Sequence, residues 1–216
     1  MNGIVEKIRA VSAVQVYVAR FPFDTINGEI SHPARAKEIE SCTNARVKSE
    51  KYYAWKLLEH AILHSFGLKT DDLSLKKRSD GKWVCDECYV SLSHSENFVA
   101  VAVSGKSVGV DIEKCDPARF SCALAEKTAT EKERGLLKSA ENIQDEFCAL
   151  WTKKEAIFKV SGEGVFWPKN IEVCNFNTLT KAVLSSDGKY FVSVASEDAQ
   201  SAVFKGLGDI SFADIK

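Results

Sequence analysis

The sequence has almost no net charge and no long apolar run. Its 29 Lys and Arg residues against 30 Asp and Glu give a formal charge of −1 over 216 residues. No overall field therefore favours nucleic acid or an anionic membrane as a partner, and any basic site must be a local cluster. No stretch approaches the roughly 18 apolar residues that a spanning helix needs, and Glu6, Lys7 and Arg9 interrupt the N-terminus where a signal peptide would be apolar. We expect a cytoplasmic protein with neither a nucleic-acid nor a membrane partner.

The cysteines provide no disulfide framework. There are seven of them, an odd number, scattered along the chain. Without a secretory signal, reduced thiols are expected. The one tight pair is Cys85-Asp86-Glu87-Cys88. Because a zinc or redox site would need further ligands or a thioredoxin-like context, we interpret this pair as two ordinary cysteines.

Hydrophobic periodicity predicts mixed strands and helices. Residues 11–20 alternate as a strand, and residues 33–64 are helical, ending at Gly67. Residues 98–103 and 107–113 are predicted to form a hairpin whose turn is Ser104-Gly105-Lys106. Two helices follow, at 117–139 and 145–160, with Gly162-Glu163-Gly164 closing the second, and then a hairpin of 181–185 with 190–195. The absence of a regular βαβ rhythm favours an α+β fold, and a similar mix of elements on both sides of residue 107 suggests two halves.

The first candidate site is the segment Val108-Gly109-Val110-Asp111-Ile112-Glu113. On a strand, Asp111 and Glu113 leave the same face, while Val110 and Ile112 point into the core. Two carboxylates on one face repel each other unless a cation lies between them, and Mg²⁺ typically takes one or two carboxylates together with substrate phosphates. The alternative is the solvated polar face of an edge strand.

Two further segments carry charged or polar side chains at suggestive spacings. In the helical segment 151–159, Glu155 and Lys159 lie one turn apart, and the alternative to a functional role is a surface ion pair. In the segment 90–95, His94 follows Ser93 where a strand ends, so its ring N–H could bind a phosphate. A structural histidine with satisfied hydrogen bonds is the alternative there.

The order and spacing of these segments are more specific than any one of them. Ser-His-Ser is followed within about twenty residues by G-x-D-x-E, and W-x-x-K-E-x-x-x-K follows some forty residues later. The combination resembles the 4′-phosphopantetheinyl transferases of the surfactin-synthetase-associated class, from near residue 35 to Pro168. The resemblance implies two similar α/β subdomains, 1–106 and 107–216, related by a pseudo-twofold axis. It also implies a monomer that binds coenzyme A in the cleft between them and modifies an apo acyl or peptidyl carrier protein.

The resemblance also implies catalytic roles. Asp111, Glu113 and Glu155 would be Mg²⁺ ligands, and the metal would neutralise the pyrophosphate and make 3′,5′-ADP a better leaving group. Glu155 would in addition be the general base for the carrier serine, with Glu113 or a metal-bound water as the alternatives. Lys159 would stabilise phosphate charge or protonate the leaving group.

Coenzyme A binding is implied for residues elsewhere in the chain. Ser93 and His94 match the family's phosphate-contacting pair, and Lys82 matches a Gly-Lys pair that meets the nucleotide, although Trp83 stands where a proline often follows. Lys51 and Arg35 would hold the 3′-phosphate. Lys159 would also contact the coenzyme.

One departure from the family pattern bears on the partner. The segment 127–133 lacks the aromatic pair that usually follows the first motif, so the preferred carrier protein stays open. Two other functions also stay open: a Mg²⁺-dependent hydrolase of coenzyme A or another nucleotide pyrophosphate, and a non-catalytic binding module on the same scaffold.

Overall fold

The computed structural model describes residues 2–23, 26, 28–119, 121–161 and 164–206. Its strands form a four-stranded sheet, a three-stranded sheet and a separate two-stranded hairpin, and helices pack on each of the two larger sheets. The predicted α+β fold class is therefore confirmed. In the part of the chain that is described, no helix combines the length and apolar character needed to cross a membrane.

The helices are α1 (Asn2–Arg9), α2 (Pro33–Glu40), α3 (Ala45–Phe66), α4 (Cys122–Thr128), α5 (Glu131–Ser139) and α6 (Ile143–Ser161). The strands are β1 (Gln15–Arg20), β2 (Leu75–Lys77), β3 (Trp83–Cys85), β4 (Tyr89–Ser95), β5 (Phe98–Ser104), β6 (Val108–Lys114), β7 (Thr178–Ser185), β8 (Gly188–Ser196) and β9 (Val203–Lys205). The first sheet has the order β4-β5-β1-β9, the second has the order β6-β8-β7, and β2 pairs with β3.

The first half of the chain packs α3 against the four-stranded sheet. Where one helix was predicted over 33–64, the structure has α2 and α3, because Asn44 begins a new helix: its side chain accepts a hydrogen bond from Val47 N at 3.1 Å. Gly67 ends α3 in the left-handed conformation at φ 63°, as predicted.

The second half packs α6 against β6 and β8. Gly109 makes this packing close: a Cβ built there would overlap the carbonyl oxygen of Ala156 and lie 2.9 Å from the backbone N of Val160. The predicted last hairpin is confirmed as β7 and β8, with Ser185 paired to Gly188 at its turn. The predicted closing segment at Gly162 and Glu163 lies outside the described residues.

The hairpin predicted for residues 98–113 is wrong. β5 pairs with β4 on one side and with β1 on the other, so neither of its hydrogen-bonding edges is left for β6. All seven residues of β5 are buried, because α3 covers one face of this strand and the second sheet covers the other. At residues 105–107 the chain instead leaves the first sheet, and β6 joins the second by pairing with β8.

Alternate serines of β4 join the two sheets. Ser91 Oγ accepts a hydrogen bond from Val110 N at 3.0 Å, and Ser93 Oγ donates to Asp111 Oδ1 at 2.7 Å. Ser95 Oγ donates to Glu113 Oε2 at 3.1 Å. We call these contacts the serine joint. They place β4 beside β6 through side chains rather than through a backbone ladder.

The end of the described chain returns to the first half. β9 pairs in parallel with β1, with Gln15 opposite Val203. A strand from beyond residue 107 therefore completes the sheet of the first half. The division into subdomains 1–106 and 107–216 stays a prediction.

Candidate active site

Asp111 lies at the centre of the candidate site. It is only 3% exposed, and its Oδ1 accepts hydrogen bonds from Lys159 Nζ at 2.8 Å and Ser93 Oγ at 2.7 Å. Its Oδ2 is buried and has no hydrogen-bond partner among the described residues. A buried carboxylate oxygen without a partner is costly. The arrangement therefore leaves one anionic oxygen that a cation could stabilise.

Burial and the negative charge of Asp111 raise the pKa of both Glu113 and Glu155. Burial, and then the negative charge of Asp111, raise the pKa of Glu113 to about 7. The same two causes, opposed by the charge of Lys159, raise the pKa of Glu155 to about 7. Near pH 7 each of these carboxyl groups is therefore divided between its protonated and its charged form. An added divalent cation would favour their charged forms.

The chemistry of these donors fits Mg²⁺. Across the described part of the chain, no three His, Cys, Asp or Glu side chains form a ready-made metal site. Mg²⁺ does not require one, because it usually binds through one or two carboxylates and completes its octahedron with water and substrate phosphate. The unpartnered Asp111 Oδ2, beside two carboxylates of raised pKa, is the donor set that such an ion would use.

The side chain of Lys159 donates its hydrogen bonds to residues outside its own helix, α6. The alternative to a functional role was a surface ion pair with Glu155, but Lys159 Nζ donates to Asp111 Oδ1 at 2.8 Å and to Ser93 Oγ at 2.8 Å. The lysine thus links α6 to β6 and to β4 of the other sheet. A solvent-exposed pair within one helix would not make these contacts.

His94 and Lys82 both lie near Lys159. The His94 side chain is 51% exposed, and its Nδ1 is 3.7 Å from Glu50 Oε2. Loss of solvent around the ring lowers the pKa of His94, and the charge of Glu50 opposes this. Lys82 Nζ donates to the carbonyl oxygen of Lys159 at 2.6 Å. A cleft of about 300 Å³ is lined by Gly81, Lys82, Trp83, Leu92, Phe158 and Lys159.

Arg35 and Lys51, predicted to bind phosphate, are both engaged by Glu38. Arg35 Nη1 is 3.0 Å from Glu38 Oε2, and Lys51 Nζ is 3.0 Å from Glu38 Oε1. Lys77 joins them at 2.8 Å from Glu38 Oε1. Burial raises the pKa of Glu38, but the hydrogen bonds from Lys77 and Lys51 and the charge of Arg35 outweigh it and bring the pKa to about 2.

The sequence prediction missed Glu38, Lys77 and Ser95. The i, i+3 spacing of Arg35 and Glu38 on α2 was a usable signal. Strand alternation was a second one, because it places Ser95 on the same face as Ser93, away from His94. Lys77 comes from the separate β2–β3 hairpin, and no sequence pattern connects it to α2.

A buried carboxylate bound to an ammonium group that also lines a cleft is an arrangement suited to positioning phosphate groups and stabilising their charge. Residues 107–208 match the family model described as the 4′-phosphopantetheinyl transferase superfamily. This match covers a little under half of the chain and includes β6 and α6. The resemblance inferred from the motifs is thereby confirmed for the second half of the molecule.

Curated relatives agree with this family. The chain is 29% identical over 150 residues to the 4′-phosphopantetheinyl transferase psf-1 of Bacillus pumilus, which covers 68% of this chain and 61% of that protein. It is 31% identical over 117 residues to the 4′-phosphopantetheinyl transferase gsp of Aneurinibacillus migulanus, covering 53% of this chain and 48% of that protein. It is also 28% identical over 115 residues to 4′-phosphopantetheinyl transferase Sfp of Bacillus subtilis, covering 52% and 51%. The chain spans about half to three fifths of the length of these relatives.

Proposed function

We propose that this chain transfers the 4′-phosphopantetheine group of coenzyme A to a serine hydroxyl of an apo acyl or peptidyl carrier protein, with Mg²⁺, releasing 3′,5′-ADP. The observation that carries the proposal is the contact of Asp111 with Lys159 and Ser93, at 2.8 and 2.7 Å, beside Glu113 and Glu155. Asp111 and Lys159 lie within the region that matches the transferase superfamily. The relatives' names support the same activity.

Asp111, Glu113 and Glu155 are the residues that would hold Mg²⁺. When bound, Mg²⁺ neutralises pyrophosphate charge and polarises the phosphoryl oxygens. The unpartnered Asp111 Oδ2 and the raised pKa of both glutamates support this assignment.

The chain's own side chains supply proton transfer and charge. In the proposed reaction a bond forms between the serine Oγ and the phosphorus of the pantetheine phosphate, while the bond from that phosphorus to the bridging oxygen breaks. The serine proton passes to Glu155, whose charged form, the form that accepts a proton, a bound divalent cation would favour. Lys159 and His94 stabilise phosphate oxygens, and Lys82 lies at the cleft for the nucleotide. The leaving 3′,5′-ADP takes the bond electrons.

Mass spectrometry of the carrier tests the proposal. The chain is incubated with coenzyme A, Mg²⁺ and an apo carrier protein, and a mass gain of one phosphopantetheine is expected. Glu155→Gln should lower the rate by about 10²–10⁴-fold, the usual contribution of a positioned base. Glu146→Gln is the matched control, because Glu146 is exposed on the same helix.

Two outcomes would contradict the proposal. Coenzyme A cleaved without any gain of carrier mass would indicate the pyrophosphate hydrolase instead. Coenzyme A bound but neither cleaved nor transferred would indicate a binding module. The resemblance further supports a cytoplasmic monomer, and light scattering on the purified chain would test its oligomeric state.

A further inference from the structure

Outside the centre of the candidate active site, the carboxylate of Glu38 forms ion pairs with three cationic side chains. Glu38 Oε1 is 3.0 Å from Lys51 Nζ and 2.8 Å from Lys77 Nζ, and Glu38 Oε2 is 3.0 Å from Arg35 Nη1. These side chains come from α2, α3 and the β2–β3 hairpin. We call them the Glu38 cluster. Its three positive charges against one negative charge leave a local excess of positive charge in a chain whose net charge is −1.

The Glu38 cluster is layered. The Lys51 and Lys77 side chains are 30% and 36% exposed, whereas the Arg35 side chain below them is 6% exposed. Arg35 lies against the rings of Trp55 and Trp83, at 5.6 and 6.0 Å from their centroids. An anion can therefore reach the two ammonium groups from solvent, while the guanidinium supports them from inside.

The hydrogen-bonding capacity of the cluster exceeds what Glu38 can use. Arg35 Nη2 donates to the carbonyl oxygen of Lys51, but Arg35 Nε is buried and finds no acceptor in the described ranges of the chain. Glu38 has two oxygens for three cations, so both ammonium groups share Oε1. A phosphomonoester carries about two negative charges and three acceptor oxygens. It suits this set of donors better than a carboxylate does.

We propose that Glu38 is an internal substitute for a phosphomonoester, which it must release before Lys51, Lys77 and Arg35 can bind the phosphate of a ligand. This deepens the proposed function and rests on it, because the phosphomonoester of coenzyme A is its 3′-phosphate. Trp83, which Arg35 packs against, also lines the cleft beside Lys82 and Lys159. The Glu38 cluster thus adjoins the place where the rest of the coenzyme is proposed to lie.

Glu38 acts as a specificity residue through competition. Without a ligand, the carboxylate of Glu38 offsets the mutual repulsion of the three positive charges. With a ligand, only an anion that outcompetes the carboxylate gains the full set of contacts. A dianionic phosphate should do so, and a ligand that lacks this phosphate leaves Glu38 in place. Lys77 is assigned here as a further binding residue.

Calorimetry on the full chain, with paired ligands, tests this inference. Coenzyme A is compared with dephospho-coenzyme A, and adenosine 3′,5′-bisphosphate with adenosine 5′-monophosphate, so each pair differs by one phosphomonoester. Glu38→Gln should raise the preference for the phosphorylated member of each pair by about fivefold, at the low end of usual coupling between sites. Lys77→Met should lower it. The control is Glu59→Gln, because Glu59 pairs with Lys56 on α3, at 2.8 Å, and with no other cation among the described residues.

The outcomes separate this inference from the proposed function. If Glu38→Gln leaves the preference unchanged or lowers it, Glu38 is only a structural clamp and the inference is wrong. If that variant does not fold, the Lys77→Met result decides, since an unchanged preference there removes Lys77 from the site and overturns the inference. Neither result depends on carrier modification. A wild-type chain that shows the preference but transfers nothing would refute the transferase proposal alone.

Discussion

Replacing Gly109 by alanine should displace α6 from β6 and thereby disrupt the candidate active site. In Gly109→Ala the new Cβ would overlap the carbonyl oxygen of Ala156, and would lie 2.9 Å from Val160 N and 3.1 Å from the Ala156 carbonyl carbon. All three are backbone atoms of α6, so no side chain can rotate away. The helix must move from β6, and overpacking of this kind costs about 1–3 kcal/mol or more. A gain of about 0.4–1 kcal/mol from the stiffer unfolded chain offsets part of this cost.

We therefore expect Gly109→Ala to lose about 2 kcal/mol of unfolding free energy, a fall in Tm of about 4–8 °C for a chain of this size. Carrier modification should fall about 10²-fold, because a misplacement of about 1 Å is enough for such a loss. The displaced helix bears Lys159, whose 2.8 Å contact with Asp111 crosses the same interface.

Urea denaturation and the carrier-mass assay measure these two effects. The matched control is Gly135→Ala, because a Cβ at Gly135, in α5, has nothing within 4 Å. It should be neutral or slightly stabilising, since alanine is the better helix former. If Gly109→Ala unfolds at the wild-type urea concentration and transfers at the wild-type rate, the close packing of β6 on α6 does not set the geometry of the site.

Three other substitutions test polar and charged contacts of the molecule. Ser93→Ala should cost about 1–3 kcal/mol in urea denaturation, because it removes a buried hydrogen-bond donor from Asp111; an unchanged midpoint would mean that the serine joint is energetically neutral. Lys159→Met should weaken coenzyme A binding in calorimetry and also slow transfer, since an ammonium group attracts phosphate before and during reaction; loss of turnover alone would assign it to the transition state only. The folded-state pKa of Glu38, about 2, is below its unfolded value, so Glu38 stabilises the fold above about pH 4.5 and loses this effect as the pH falls towards 2. The stability difference between wild type and Glu38→Gln should therefore shrink over that range, and a constant difference would exclude the ion cluster as its cause.

Much of the candidate site could be predicted from local patterns. Strand alternation predicts that Asp111 and Glu113 lie on one face, and both residues belong to β6. Beside burial, the charge of Asp111 contributes to the raised pKa of Glu113, as expected for neighbouring carboxylates. Helical periodicity located α6, and Gly67 ends α3 as its residue type suggested. Each of these predictions depends on residues within one element, where geometry is fixed by the backbone period.

Two errors were local, because the caps at Asn44 and Thr130 divide the helices predicted over 33–64 and 117–139. Another concerns contacts between elements. The hairpin of residues 98–113 was inferred from a short turn, but β1 and β4 had already taken both edges of β5. The alternative of a Glu155–Lys159 surface pair also depended on spacing within one helix, whereas the ammonium group of Lys159 donates to Ser93, 66 residues away in sequence. Sequence periodicity contains no information on which sheet edges remain available or on how far a flexible side chain reaches.

The serine joint has a consequence for the folding chain. Asp111 and Glu113 belong to the second sheet, whereas Ser93 and Ser95, which hydrogen-bond to them, belong to the first. A chain in which only one half has folded therefore has carboxylates without their serines, and Lys159 without one of its two acceptors. Beside the apolar core that the two sheets share, the serine joint both connects the sheets and orients the carboxylates. If the proposed transferase function is correct, activity should therefore require that both halves have folded and docked, and a partly folded chain emerging from synthesis should be inert towards coenzyme A.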